Sequence, residues 1–238
     1  MQKVFLLDHT QFLFSMEGNE CGGFNKKYTE EKVAKINMQK LKKSFNNSRY
    51  TIMKTQCSSK VAVIDQHNIE KTCDSIISAT PGHSIIFRPA DCIPLFIYTN
   101  SPNLFALIHC SRAGLEGDII KKTIRKMKKL GMNPKTSYAY LGPSIKQKSY
   151  ELPKDIIKNL KHSSWKNLIT KSSTSILLSL DKFAVLELKK YGFSNSNITV
   201  SSINTATNTH YYSHYRATRF GVTNGRNGVA VAMKLIPR

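Results

Sequence analysis

Residues 88–117 read RPADCIPLFIYTNSPNLFALIHCSRAGLEG. They hold two apolar runs, 93–98 and 104–108, each of strand length and rich in β-branched and aromatic side chains. The turn-forming Asn100-Ser101-Pro102-Asn103 separates them. This pattern predicts two buried strands joined as a hairpin with a loop of about four to six residues. Cys92 stands just before the first strand and His109 ends the second. In an antiparallel pair the start of one strand lies beside the end of the other, which makes these two residues neighbours in space. A thiol and an imidazole meeting at a strand end mark either a metal site or a nucleophile–base pair.

Working outward, the chain has 238 residues and is 40% apolar, enough for one substantial core. Its net charge of +21 invites a nucleic-acid or acidic-ligand reading. Lysine is spread from end to end, however, with no aromatic residues interleaved at stacking spacing, so compositional bias is the better account and specific nucleic-acid binding is not expected. The five cysteines are odd in number and form no CxxC, which argues against a disulfide framework and a zinc ribbon. Unpaired thiols fit a reducing, cytoplasmic setting. The N-terminal apolar run is too short for a signal peptide, and no apolar stretch approaches the roughly 20 residues that span a bilayer.

Apolar clusters at 3–15 predict one or two strands, followed by a loop over 18–23. Period-3.6 patterning predicts helices over 30–45 (ended by Asn46-Asn47-Ser48) and 115–130, the latter closed by Gly131. A helix is expected to start at Pro153 and run to 160, and another from an Asp181 cap to Tyr191. Strands are expected at 50–54, 61–65, 84–88, 137–141, 176–180, 198–203 and 228–235, with a short apolar segment at 74–78. No linker, repeat or composition break divides residues 1–238, so one α/β domain is expected.

His67 also follows an apolar run, 61–64, and three groups at strand ends converge readily on one rim of a sheet. His67, Cys92 and His109 would make the three-ligand set of an open zinc site, with water or substrate in the fourth position. His83, His162, His210 and His214 compete for the same role.

Five short motifs occur in one order: Asp65-Gln66-His67; Ala90-Asp91-Cys92-Ile93-Pro94; Ile108-His109 with Gly114; Gly142-Pro143-Ser144-Ile145 followed by Tyr150-Glu151; and Tyr212-Ser213-His214-Tyr215-Arg216 followed by Gly225-Arg226. From about residue 14 to 235 the chain resembles the YfiH/LACC1 family, long described as polyphenol oxidoreductase (laccase-like) proteins and now as purine nucleoside phosphorylases. The resemblance implies a mixed β-sandwich flanked by helices, with metal ligands at His67, Cys92 and His109. It implies zinc, with copper as the lesser alternative. The implied activities are phosphorolysis of adenosine, inosine, guanosine and methylthioadenosine, and deamination of adenosine, with purine nucleoside and phosphate as partners. Asp91, Ser144 and Arg216 are candidate substrate-binding residues.

The chain departs from the family pattern at several arginines. Met16-Glu17, Asn37-Met38, Ser111-Arg112-Ala113 and Tyr215-Arg216 stand where the pattern has Arg, or has Arg one residue away. A bidentate anion holder is therefore missing at those places. Three other readings stay open: a diverged relative that binds metal with little turnover, a cysteine hydrolase using Cys92 and His109, and copper-dependent phenol oxidation.

Overall fold

A computed structural model describes residues 1–18, 23, 27, 29–43, 49–64, 69–171 and 173–236. The strands β1 (Gln2–Leu7) and β2 (Thr10–Glu17) form the N-terminal hairpin and lead to α1 (Glu31–Lys43). Then come β3 (Arg49–Lys54), β4 (Val61–Val63), β5 (Ile69–Thr72), β6 (Ser75–Ser78) and β7 (His83–Phe87). The central hairpin is β8 (Ile93–Asn100) with β9 (Asn103–Cys110), followed by α2 (Arg112–Glu116) and α3 (Ile119–Lys129). The second half holds β10 (Tyr138–Leu141), β11 (Glu151–Pro153), β12 (Ile169–Lys171), β13 (Ser175–Leu178) and α4 (Leu180–Lys190). It closes with β14 (Ile198–Val200), α5 (His214–Phe220) and β15 (Gly228–Leu235).

Two six-stranded mixed sheets result, in the orders β1-β2-β15-β7-β3-β5 and β14-β10-β8-β9-β6-β4, with a small third sheet β11-β13-β12. The two-residue period of the central hairpin explains how they stack. Phe96, Tyr98, Phe105 and Leu107 point one way and pack with Phe12, Phe14, Met53, Phe87 and Val231 of the first sheet. Leu95, Ile97, Ala106 and Ile108 point the other way, against Ile120, Ile124 and Met127 of α3 and Phe183 and Leu188 of α4. On the far side, Met38 and Leu41 of α1 cover Leu13, Ile86 and Ala230. The expected sandwich of sheets flanked by helices is therefore present. Both faces of β8 and β9 are buried, which is why the two runs are continuously apolar rather than alternating.

The hairpin is antiparallel, with Pro94 opposite His109 and Ile93 opposite Cys110. Its loop is shorter than expected, because Asn100 and Asn103 still pair and only Ser101 and Pro102 lie between them. The helix expected over 115–130 is two helices. Asp118 adopts φ 64°, in the left-handed region, and restarts the chain as α3. The segment after Pro153 is a 3₁₀ turn over Lys154–Asn159 rather than an α-helix. The apolar residue Leu152, just before it, serves β11, which pairs with β13. Ser179, not Asp181, caps α4, its hydroxyl accepting from the Lys182 amide. The periodic reading missed α5, a short helix capped by Ser213. The expected stop at 46–48, the end of the strand at 65 and His67 lie outside the described residues. No helix of the described chain is long and apolar enough to cross a membrane.

Gly142 follows β10, between Phe14 of the first large sheet and Pro94 of the second. A Cβ there would sit 2.7 Å from Cζ of Phe14 and 2.8 Å from Cγ of Pro94. Gly142→Ala is expected to destabilise the protein by about 1–3 kcal/mol through overpacking, measured by denaturant unfolding.

Candidate metal centre and substrate cavity

The alternation that sends Phe105 and Leu107 between the sheets sends His109 there as well, at the open end of the sandwich. Its ring lies 5.5 Å from that of Phe87 in the first sheet. Asp74, directly before β6, sits beside it. The His109 amide donates to the Asp74 carbonyl at 2.8 Å, and His109 Nδ1 lies 2.7 Å from Asp74 Oδ1. The Asp74 carboxylate is fully buried. It also accepts from the amides of Gln56, Cys57 and Ser58 and from the Ser58 hydroxyl at 2.6 Å. Burial pushes this carboxyl up, but the bonds from His109 and Ser58 outweigh it and hold it below the ordinary carboxylate range. An ionised Asp74 fixes the proton of His109 on Nδ1, so Nε2 is the nitrogen left to bind a ligand. This carboxylate–histidine arrangement is the one that orients metal-binding imidazoles.

Cys92 is half-buried on the same rim. Burial pushes its thiol well up, and the neighbouring Cys57 and Asp91 push it further. Without a metal it is a protonated thiol, which speaks against its service as a free nucleophile. Cys92 and His109 line a cavity of about 590 Å³ whose wall includes Cys57, Arg88, Arg226 and His214. Lys27 and Lys54 complete a strongly cationic lining. A second cavity of about 480 Å³ shares Cys92 and His214 with the first and is more apolar, with Tyr150, Leu152, Leu180 and Tyr215 in its wall. Burial raises the Tyr150 phenol to about 12, so it stays protonated at neutral pH.

A family model described as multi-copper polyphenol oxidoreductase laccase matches residues 20–234. The chain belongs to this family. It is 29% identical over 108 residues to a purine nucleoside phosphorylase of Corynebacterium glutamicum, a match covering 43% of this chain and 44% of that one. It is 26% identical over 192 residues to a purine nucleoside phosphorylase of Clostridium acetobutylicum, covering 80% of this chain and 79% of the other. The matched part is thus under half the length of the first relative and most of the second. Among solved structures it is similar to the hypothetical protein YfiH of Bacillus licheniformis, with a TM-score of 0.82 at 16% identity over 94% of this chain and 92% of that one. That likeness establishes the fold.

The other residues singled out in this family member stand as follows. Asp91, at φ 77°, accepts from the hydroxyls of Thr205 (2.6 Å) and Ser213 (3.0 Å) and from the Tyr215 amide (2.7 Å) while lining the second cavity. Ser144 is fully buried and ties its strand end to residues 203–205 through its backbone. The Arg216 guanidinium donates to the carbonyls of Thr205, Asn208 and Tyr211. All three residues hold the segment 203–216 against the rim. Asp74, Cys57 and Arg88 escaped the sequence reading. Cys57 offered the same signal as His67, a chemically active residue a few positions past a strand.

Among the described residues one trio of possible ligands has all its donor atoms within 4.8 Å of one another: Asp118, His162 and Glu187. Here His162 Nδ1 accepts from the Ser164 amide at 3.2 Å, so Nε2 carries the proton towards Asp118 Oδ1 at 3.3 Å. Glu187 accepts from the Ser164 hydroxyl at 2.8 Å, and Lys121 pairs with Asp118 at 3.0 Å. These bonds tie α3, the turn at 163–165 and α4 together, and a cation at Nε2 would have to reverse the tautomer.

Proposed function

We propose that the protein is a zinc-dependent purine nucleoside phosphorylase acting on adenosine, inosine, guanosine and methylthioadenosine, with adenosine deamination as a second activity. The observation that carries this reading is His109, anchored at Nδ1 by an ionised buried carboxylate and set with Cys92 in the wall of a cation-lined cavity. The names of the Corynebacterium and Clostridium relatives support it. An imidazole and a thiol suit zinc. Cys92, His109 and, as the family resemblance implies, His67 would hold it, and the bound ion would supply Lewis-acid polarisation.

The chain's own residues account for the rest. Arg88, Arg226 and Lys54 give an electropositive wall suited to phosphate. Tyr150, Leu152 and Tyr215 give the neighbouring cavity flat, apolar walls suited to a purine. A nucleoside lying across Cys92 would then present C1′ of its ribose between the two. A phosphate oxygen forms the new bond to C1′ as the bond from C1′ to the purine nitrogen breaks, and the base leaves with a proton. Phosphorolysis by this route stabilises an oxocarbenium-like centre through charge placed in advance.

The test is product analysis by HPLC. With phosphate, adenosine is expected to yield adenine and ribose 1-phosphate; without phosphate, deamination yields inosine. Zinc-loaded protein that forms no product from any of the four nucleosides would overturn the proposal.

A further inference from the structure

We infer that His214 is the general acid of the proposed phosphorolysis, donating a ring proton to N7 of the purine as the bond to C1′ breaks. The inference rests on the phosphorylase reading and adds to it the source of the proton with which the base leaves. Three residues line both cavities: Ala90, Cys92 and His214. Ala90 has no proton to lend, and Cys92 is a proposed metal ligand. Of the three, His214 alone offers a transferable proton where the cationic cavity meets the apolar one, and there the bond between ribose and base would lie. Its ring is available. The side chain is exposed, and among the described residues no hydrogen bond or ion pair engages either ring nitrogen. His109, on the same rim, already gives Nδ1 to Asp74.

The free ring sits on a fixed backbone. Asp91, the residue before Cys92, accepts at Oδ2 from the Ser213 hydroxyl (3.0 Å) and from the Tyr215 amide (2.7 Å). These two residues flank His214, so both of its chain neighbours are tied to the residue beside Cys92. The other oxygen of Asp91 takes the Thr205 hydroxyl at 2.6 Å. The Ser213 hydroxyl in turn accepts from the Arg216 amide at 3.1 Å, and the Arg216 guanidinium closes on the carbonyls of Thr205, Asn208 and Tyr211. A clamped main chain with an unengaged side chain gives a proton donor what it needs: its reach is set and its proton is uncommitted. Imidazole is the side chain suited to proton transfer near neutral pH. Tyr150, the phenol between the apolar walls, is raised to about 12 by burial and holds its proton too firmly to compete. As a phosphate oxygen bonds to C1′, the electron pair of the C1′–N9 bond passes into the purine, and N7 takes the proton of His214. The ribose 1-phosphate releases the proton its phosphate carried, and the exposed ring is recharged from solvent.

The test compares the full wild-type chain with His214→Ala on guanosine and on 7-methylguanosine, with phosphate present. The methyl group of 7-methylguanosine places on the purine the positive charge that protonation at N7 would bring, so its base leaves without an acid. His214→Ala is expected to lower kcat/KM for guanosine by about 10²–10⁴-fold, the span of general acid catalysis. The variant should cleave 7-methylguanosine faster than guanosine by a similar factor. Its metal content should equal that of wild type, because the ring is not a ligand. The exposed side chain carries no bond of the described fold, so the variant is expected to fold as wild type does. Guanosine cleaved by the variant at the wild-type rate, a loss on both nucleosides alike, or loss of metal would each overturn the assignment. A wild type inactive on guanosine would overturn the phosphorylase reading instead.

Discussion

Asp74→Ala is expected to lower the free energy of unfolding by about 3–5 kcal/mol, because several buried donors lose their shared acceptor at once. The Asp74 carboxylate has no solvent exposure, and its two oxygens serve three backbone amides, a hydroxyl and the His109 ring. Deleting it orphans those donors together, at about 1–3 kcal/mol for each one left without water. Asp74→Asn keeps the shape but turns an N–H₂ towards groups that are themselves donors. It should cost less stability than alanine and still weaken metal binding by about 10–100-fold, because the imidazole loses its fixed tautomer. The pH dependence follows from the direction of the shift. The folded carboxyl titrates below its unfolded value of about 3.9. Its stabilisation is therefore complete above that value and is lost as the pH falls through the lower, folded one. Urea titrations between pH 2 and 7 should show a shallower acid limb in Asp74→Asn. A limb identical to wild type would remove Asp74 as the group responsible.

Cys92→Ala should abolish turnover while sparing the fold. A metal ion supplies several kcal/mol of transition-state charge stabilisation. About 4 kcal/mol corresponds to a loss on the order of 10³-fold in kcat/KM. Cys92 is half-buried and precedes β8 rather than lying within it, so the thermal midpoint should move little. The contrast with Asp74 is the informative part: one variant should lose chemistry with stability kept, the other both at once. Phosphorolysis of adenosine at the wild-type rate by Cys92→Ala would leave no role for a metal at this position.

The layered fold was legible because its central strands are buried on both faces. Uninterrupted apolar runs such as 93–98 and 104–108 announce that condition, and the pairing of Pro94 with His109 follows from antiparallel geometry alone. The edges were harder to read. β5, Ile-Glu-Lys-Thr, is short and mostly exposed, so no alternation marks it. α5 depends on its Ser213 cap and on bonds to Asp91 rather than on an apolar stripe. At the site, Cys92 and His109 were readable because they flank the strongest hairpin signal in the chain. Asp74 was not, since an aspartate before an apolar segment looks like any strand boundary. Its importance arises from the sheet order, which brings the turn after β3 over the start of β6. Which strand ends share an edge is a property of the topology.

Asp74 also acts as a rivet across a seam. Its ring partner belongs to a strand of the second sheet, whereas the amides it collects follow directly from a strand of the first. The candidate metal centre therefore has no life apart from the meeting of the two sheets. A small sliding of one layer over the other would part the imidazole from the loop at residues 56–58 while every strand ladder stayed intact. Such a chain would keep its secondary structure and lose its chemistry.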